Sequence, residues 1–216
     1  MNIKRPKLAS DLPLCSHAEM VVSRAQQEGE IVENTRFSGV SLPNLAGVRF
    51  AGCSFENCSF SSCDAHSASF TDCRFVACDG SNANFDNGYF CRVTLEDCKW
   101  VGASIHNASL RDTAFSGSKL AYLAADHAHC KTVTFSGCDL SGAAFTVCKL
   151  EQFSIDGCRM TGVSFFQSPL SGIDFTTCQL EGIIVSDDGH ELRGAVVSAI
   201  QAAELAKLLG LVVKDM

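Results

Sequence analysis

Thirteen cysteines and six histidines are the side chains of this 216-residue sequence best suited to metal binding or nucleophilic chemistry, so their spacing is the first question. Ten of the cysteines, Cys53, Cys58, Cys63, Cys73, Cys78, Cys98, Cys138, Cys148, Cys158 and Cys178, are separated by multiples of five. Metal sites favour CxxC-like pairs and a mixed, convergent ligand set. A fixed step of five matches a packing position instead, filled by a small hydrophobe. Cys91 directly follows Phe90 and is expected to face solvent, whereas Cys15 lies in an irregular head segment. Asp126-His127-Ala128-His129-Cys130 is the one cluster whose donors could hold a metal, but its histidines flank an inward-reading alanine, which favours a weak corner of a repeat. Neither HExxH, nor GxSxG, nor a Gly-rich phosphate loop occurs. The chain is therefore expected to be non-enzymatic, with no cofactor and no metal.

The element that positions these residues is a repeat. From Phe50 to Val185 every fifth residue is large and apolar, interrupted only at Ala65, Gly80, Ala125 and Cys130. Two places before each stands a small or medium residue, the cysteines among them, with Leu123, Phe153, Ile173 and Ile183 as oversized exceptions. A period of five fits neither a helix nor a continuous strand. Inward residues two apart share one side of a short extended segment, and the following step of three forces the chain round a corner. Repetition winds an all-β solenoid whose coils contact only their neighbours. Composition agrees: 46% apolar residues supply a core, and 19% charged residues with mean hydropathy +0.13 argue against disorder.

Val48-Arg49-Phe50-Ala51-Gly52, Cys53-Ser54-Phe55-Glu56-Asn57 and Ala143-Ala144-Phe145-Thr146-Val147 resemble the A(D/N)LXX unit of pentapeptide-repeat proteins. That resemblance implies a right-handed quadrilateral β-helix with four pentapeptides per coil and short helical caps. Residues 48–187 would then form seven coils, a rod of roughly 34 Å at about 4.8 Å per coil. The expected organisation is a helical or irregular cap over 1–33, a β-helix over 34–187, and a C-terminal helix and strand over 188–216. An imperfect coil begins near Thr35-Arg36-Phe37 and Val40-Ser41-Leu42, and the frame shift over 43–47 reads as a bulge or short loop. Ser16-His17-Ala18-Glu19 and Ser198-Ala199-Ile200-Gln201 both fit capping boxes that open helices.

The C-terminal run from Leu192-Arg193-Gly194-Ala195 to Leu208-Leu209-Gly210-Leu211-Val212-Val213 is similar to the dimerisation module of the Qnr and MfpA group. This similarity implies an elongated acidic homodimer, with Leu205, Leu208, Leu209, Leu211 and Val213 at the interface, that mimics B-DNA and shields DNA gyrase and topoisomerase IV from quinolones.

Sorting the outward residues onto four sides concentrates the acids. One side carries Asp64, Asp86, Asp126 and Asp187 with no Lys or Arg; the opposite side carries Glu56, Glu96, Asp97, Asp156 and Asp174 against Arg74 alone. Stripes of this kind could meet a basic DNA-binding surface, although ordinary solvating residues would look the same. A net charge of −7 disfavours direct nucleic-acid binding. The sequence carries neither an 18-residue apolar span nor a convincing export signal, so a cytoplasmic protein without membrane association is expected. A general interaction scaffold or effector adapter is the competing expectation.

Overall fold

In a computed structural model that describes residues 3–214, the five-residue pattern becomes a four-sided β-solenoid of about eight coils. The corner chemistry is local. Through most of the solenoid the residue two places after the large inward side chain adopts a positive φ, as at Asn57 (53°), Asp72 (54°), Arg92 (53°), Asn107 (54°) and Gly142 (67°). One left-handed residue between short extended stretches redirects the chain every five residues. At two of the four corners an i→i+3 bond tightens the turn, for example Cys63 N to Phe60 O (2.9 Å) and Ala68 N to Ala65 O (3.0 Å).

A coil of four such units contains twenty residues, and parallel pairing repeats at that interval: Phe70 with Phe90, Phe90 with Leu110, Cys130 with Leu150. Strands β1 (Ile31–Glu33), β2 (Arg36–Ser38), β3 (Arg49–Ala51) and β4 (Ser54–Glu56) start the ladder. In β5 (Ser69–Val76), β6 (Tyr89–Glu96), β7 (Ser109–Ser116), β8 (His129–Ser136) and β9 (Lys149–Asp156) one bent strand covers the first and second sides. Short β10 (Arg159–Thr161) and β11 (Gln179–Glu181) pair further along. Single bridges such as Lys99 to Lys119 on the third side and Ser104 to Ala124 on the fourth complete each coil.

The central column consists of stacked rings. Phe50 and Phe70 stack at 5.3 Å, Phe55 and Phe75 at 4.7 Å, and Phe115 and Phe135 at 4.6 Å, close to the roughly 4.8 Å rise between strands. The ten repeat cysteines are buried, and thiols such as Cys53 (to Val32 O, 3.3 Å) and Cys78 (to Phe55 O, 3.4 Å) donate to inner carbonyls. Ser118 and Ser168 take the same inner position and donate to Ser116 O and Phe145 O. All thirteen cysteines are free thiols. Cys91 departs from expectation. It is buried, because the Arg92 guanidinium that grips Asp72 also lies against its sulfur at 3.3 Å.

The first coil begins with inward Val32 and is short by two residues. Val32 pairs with Phe50 and Phe37 with Phe55, eighteen residues apart, whereas Asn44 pairs with Asp64, twenty apart. The shift near 43–47 is thus a contraction rather than a bulge: Leu42 and Leu45, both buried, point inward only three residues apart. Pro13 to Cys15 add to the edge of β2 through Arg36 N to Pro13 O (2.9 Å) and Cys15 N to Arg36 O (2.8 Å). Helix α1 (Ala18–Glu28) then lays Ala18, Val22 and Ala25 into the core cluster. Its N-cap is His17 with no side-chain cap bond, so the capping box expected at Ser16 is not formed. At the far end Ser198 and Gln201 do form the reciprocal box that opens α2 (Ala199–Leu208). Gln201 Nε2 also donates to Phe175 O (2.7 Å) and Cys178 O (3.0 Å), closing carbonyls of the last coil.

Candidate interaction surfaces

The corner geometry holds the acidic side chains on a rigid lattice, and their partners decide how much charge each side presents. On the fourth side, His66, Asp86, His106 and Asp126 occupy equivalent positions in successive coils. His66 Nδ1 lies 3.0 Å from Asp64, whose carboxyl it holds below the usual range, and His106 Nδ1 lies 3.2 Å from Asp126. Asp86 accepts the His106 amide (2.9 Å) and the Ser104 hydroxyl. This side lacks Lys and Arg, as expected, but histidines interleave its acids, an arrangement visible only when residues twenty apart are aligned. Asp187 is exposed beyond them.

On the second side Arg74 forms a two-pronged pair with Glu96 (3.0 and 2.6 Å), which keeps Glu96 below the ordinary carboxylate range. Asp174 turns back to Thr176, accepting its amide at 2.9 Å and hydroxyl at 2.7 Å. Among the described residues no ion pair reaches Glu56, Asp97, Asp156, Asp174 or Asp187. Between Glu96 and Asp156 the equivalent positions are Ser116 and Ser136, so this acidic run is broken for two coils.

Part of that gap is covered by a segment whose course the sequence did not signal. Residues 3–12 do not fold over the end of the rod but run along it, with Lys7 N bonded to Asp72 (2.9 Å) and Lys4 N to Asp112 (3.2 Å). The arm brings Lys4, Arg5 and Lys7 onto an otherwise acidic side. Its alternation of half-buried Ile3, Pro6 and Leu8 with exposed Lys4, Arg5 and Lys7 is too short for periodicity to register.

Two apolar surfaces also lie open. On and beside the fourth side, toward the C-terminal end, Tyr122 is 68% exposed and Ile184 53%, with Val147 and Phe166 also exposed. Around α2, the expected interface residues divide: Leu205 packs in part on the rod core, while Leu208, Leu209, Leu211 and Val213 are exposed. Ile200 and Val212, not singled out from sequence, are the most exposed at 81% and 86%.

The Asp126–Cys130 cluster is dispersed by the corner. Asp126 faces His106, His129 lies 3.6 Å from Glu151, and Cys130 is inside. Among the described residues only Asp188, His190 and Glu191 bring three potential ligands together. Glu191 is already engaged by Gln167 N (2.7 Å), Ser186 N (3.1 Å) and Ser186 Oγ (2.5 Å), and thereby anchors the turn that ends the repeat. No helix among the described residues is long and apolar enough to cross a membrane.

Residues 48–124 match the family model for the pentapeptide repeat region. Within those residues the twenty-residue, four-sided coil is that of a pentapeptide-repeat region. Among solved structures it is similar to a trypsin-treated variant of QnrB1, a plasmid-mediated fluoroquinolone resistance protein, at 18% identity over 86% of this chain and 99% of that one, with a TM-score of 0.42. It is also similar to HetL, a pentapeptide-repeat protein involved in heterocyst differentiation regulation from the cyanobacterium Nostoc sp. strain PCC 7120, at 13% identity over 85% and 97%, TM-score 0.35. No curated protein matches its sequence.

Proposed function

We propose that this chain is a non-enzymatic, cytoplasmic rod that binds DNA gyrase or topoisomerase IV where DNA would lie and relieves the enzyme of quinolone-type poisons. It acts as a homodimer joined through the exposed residues of α2 and the tail, chiefly Leu208, Leu209, Leu211 and Val213. The observation that carries the reading is the set of acids without ion-pair partners among the described residues, Glu56, Asp97, Asp156, Asp174 and Asp187, held on a frame of fixed rise. Fixed charge on a stiff rod would steer docking onto a basic cleft and fix its orientation. Magnitude limits the mimicry. B-DNA carries one charge per about 1.7 Å, so the rod is a sparse imitation whose affinity must also come from shape and apolar contact.

The exposed Tyr122, Val147, Phe166 and Ile184 favour a second reading, a scaffold that docks another protein through an apolar face. Surface plasmon resonance on purified gyrase separates the two. Reversal of Asp156, Asp174 and Asp187 to lysine should weaken binding about tenfold and flatten its salt dependence. Unchanged binding by that triple variant would remove the acidic-surface reading.

A further inference from the structure

The arm of residues 3–8 lies in a groove that it fills only in part. The crevice, about 600 Å³, runs between the arm and a wall formed by Val93, Thr94, Ala114 and Phe115, with Glu96 and Asp112 on its rim, and it continues past the arm to Thr134 and Ser136. Two spacings in the contact match. Asp72 and Asp112 occupy the same corner two coils apart, a separation of about 9.6 Å at the usual inter-strand rise. Lys4 and Lys7, whose amides they accept, are three residues apart, about 10 Å of extended chain. An extended peptide parallel to the rod axis thus meets the two carboxylates of this column, Asp72 and Asp112, through amides three residues apart. Between them Arg92 donates to both oxygens of Asp72 (2.6 and 2.5 Å), fixing that carboxylate in position to accept Lys7 N. Charge is complementary as well: Lys4, Arg5 and Lys7 ride over Asp72, Glu96 and Asp112, and both Lys7 and Arg5 help to hold acids beneath them ionised.

We propose that this groove is a peptide-docking site, that its ligands are extended basic segments with alternating apolar residues recognised through main-chain amides, and that the chain's own arm occupies it in cis. A protein partner of that chemistry binds the second side by displacing the arm. The inference does not depend on the topoisomerase reading, because its test contains no topoisomerase.

The test uses the full chain with Lys4→Pro and Lys7→Pro together, which removes both amide donors and leaves the rod untouched, with circular dichroism to verify the fold. The arm should be released and the groove left open to a second peptide. A fluorescein-labelled peptide of residues 3–12, followed by fluorescence anisotropy, should bind the variant at least tenfold more tightly than the wild-type chain, because the competent groove is more populated. The same peptide N-methylated at the Lys4 and Lys7 amides keeps its charges and should not bind. Equal binding of the labelled peptide to both proteins, or to neither, would overturn the cis-occupied groove. Equal binding of the N-methylated peptide would overturn main-chain recognition and leave charge attraction alone.

Discussion

Gly80 stands where the repeat calls for a large side chain, and its neighbour one coil on explains it. A Cβ at Gly80 would lie 2.6 Å from Trp100 Nε1, and Trp100 stacks on Phe85 at 4.4 Å, so one indole fills space for two layers. Gly80 does not have a positive φ, so the obstacle is packing rather than backbone. Gly80→Leu should cost about 1–3 kcal/mol, and Trp100→Leu in the same chain should restore part of it, read as non-additivity in urea melts. Asp72 supplies the pH prediction. Its hydrogen bonds from Arg92, with the Lys7 amide beside them, hold its carboxyl below the ordinary value. A depressed folded-state pKa stabilises fully above the unfolded value near 4, and that stability is lost as pH falls through the folded one. Asp72→Asn should therefore lower the melting temperature at pH 7, and that loss should shrink as pH falls below the unfolded carboxylate value. Neither the glycine's reason nor the aspartate's partner was legible in sequence, because both lie across a coil rather than along the chain.

At the scale of the elements, the inward pattern was legible because one frame repeats it, and the long β5–β9 ladders follow from it. The corner was only half legible. Glycine and asparagine are frequent at the left-handed position, but Val147 (φ 56°) and Thr132 (φ 59°) also occupy it, and β-branched residues are strained there. Thr132 has compensation in a 2.8 Å bond to Gln152; Val147 is exposed. Val147→Asn should raise stability by about 1 kcal/mol, seen as a higher melting temperature. The contraction at Leu42–Leu45 reads as a bulge in sequence because a step of three looks like an insertion until Leu45 is seen to point inward. The arm was illegible for a different reason: it makes its bonds through backbone amides, which carry no residue signature.

For the whole molecule, the acidic sides are more heavily compensated than the sequence implied. Arg74 neutralises Glu96, histidines interleave the fourth side, and the arm lays three cations across the second. What stays uncovered is the set of unpaired acids and the apolar surfaces. Deleting α2 would also strip the Gln201 cap from the last coil, so the proposed dimer is better tested by Leu211→Asp with Val212→Asp. The wild-type chain should scatter light as a dimer and this variant as a folded monomer. Topoisomerase protection is tested most directly by a gyrase supercoiling assay with and without a quinolone at micromolar chain. Wild-type protein should restore supercoiling in the presence of drug, and the Asp156, Asp174 and Asp187 reversal should not. Supercoiling indifferent to the wild-type chain, both with drug and without it, would contradict the proposed role.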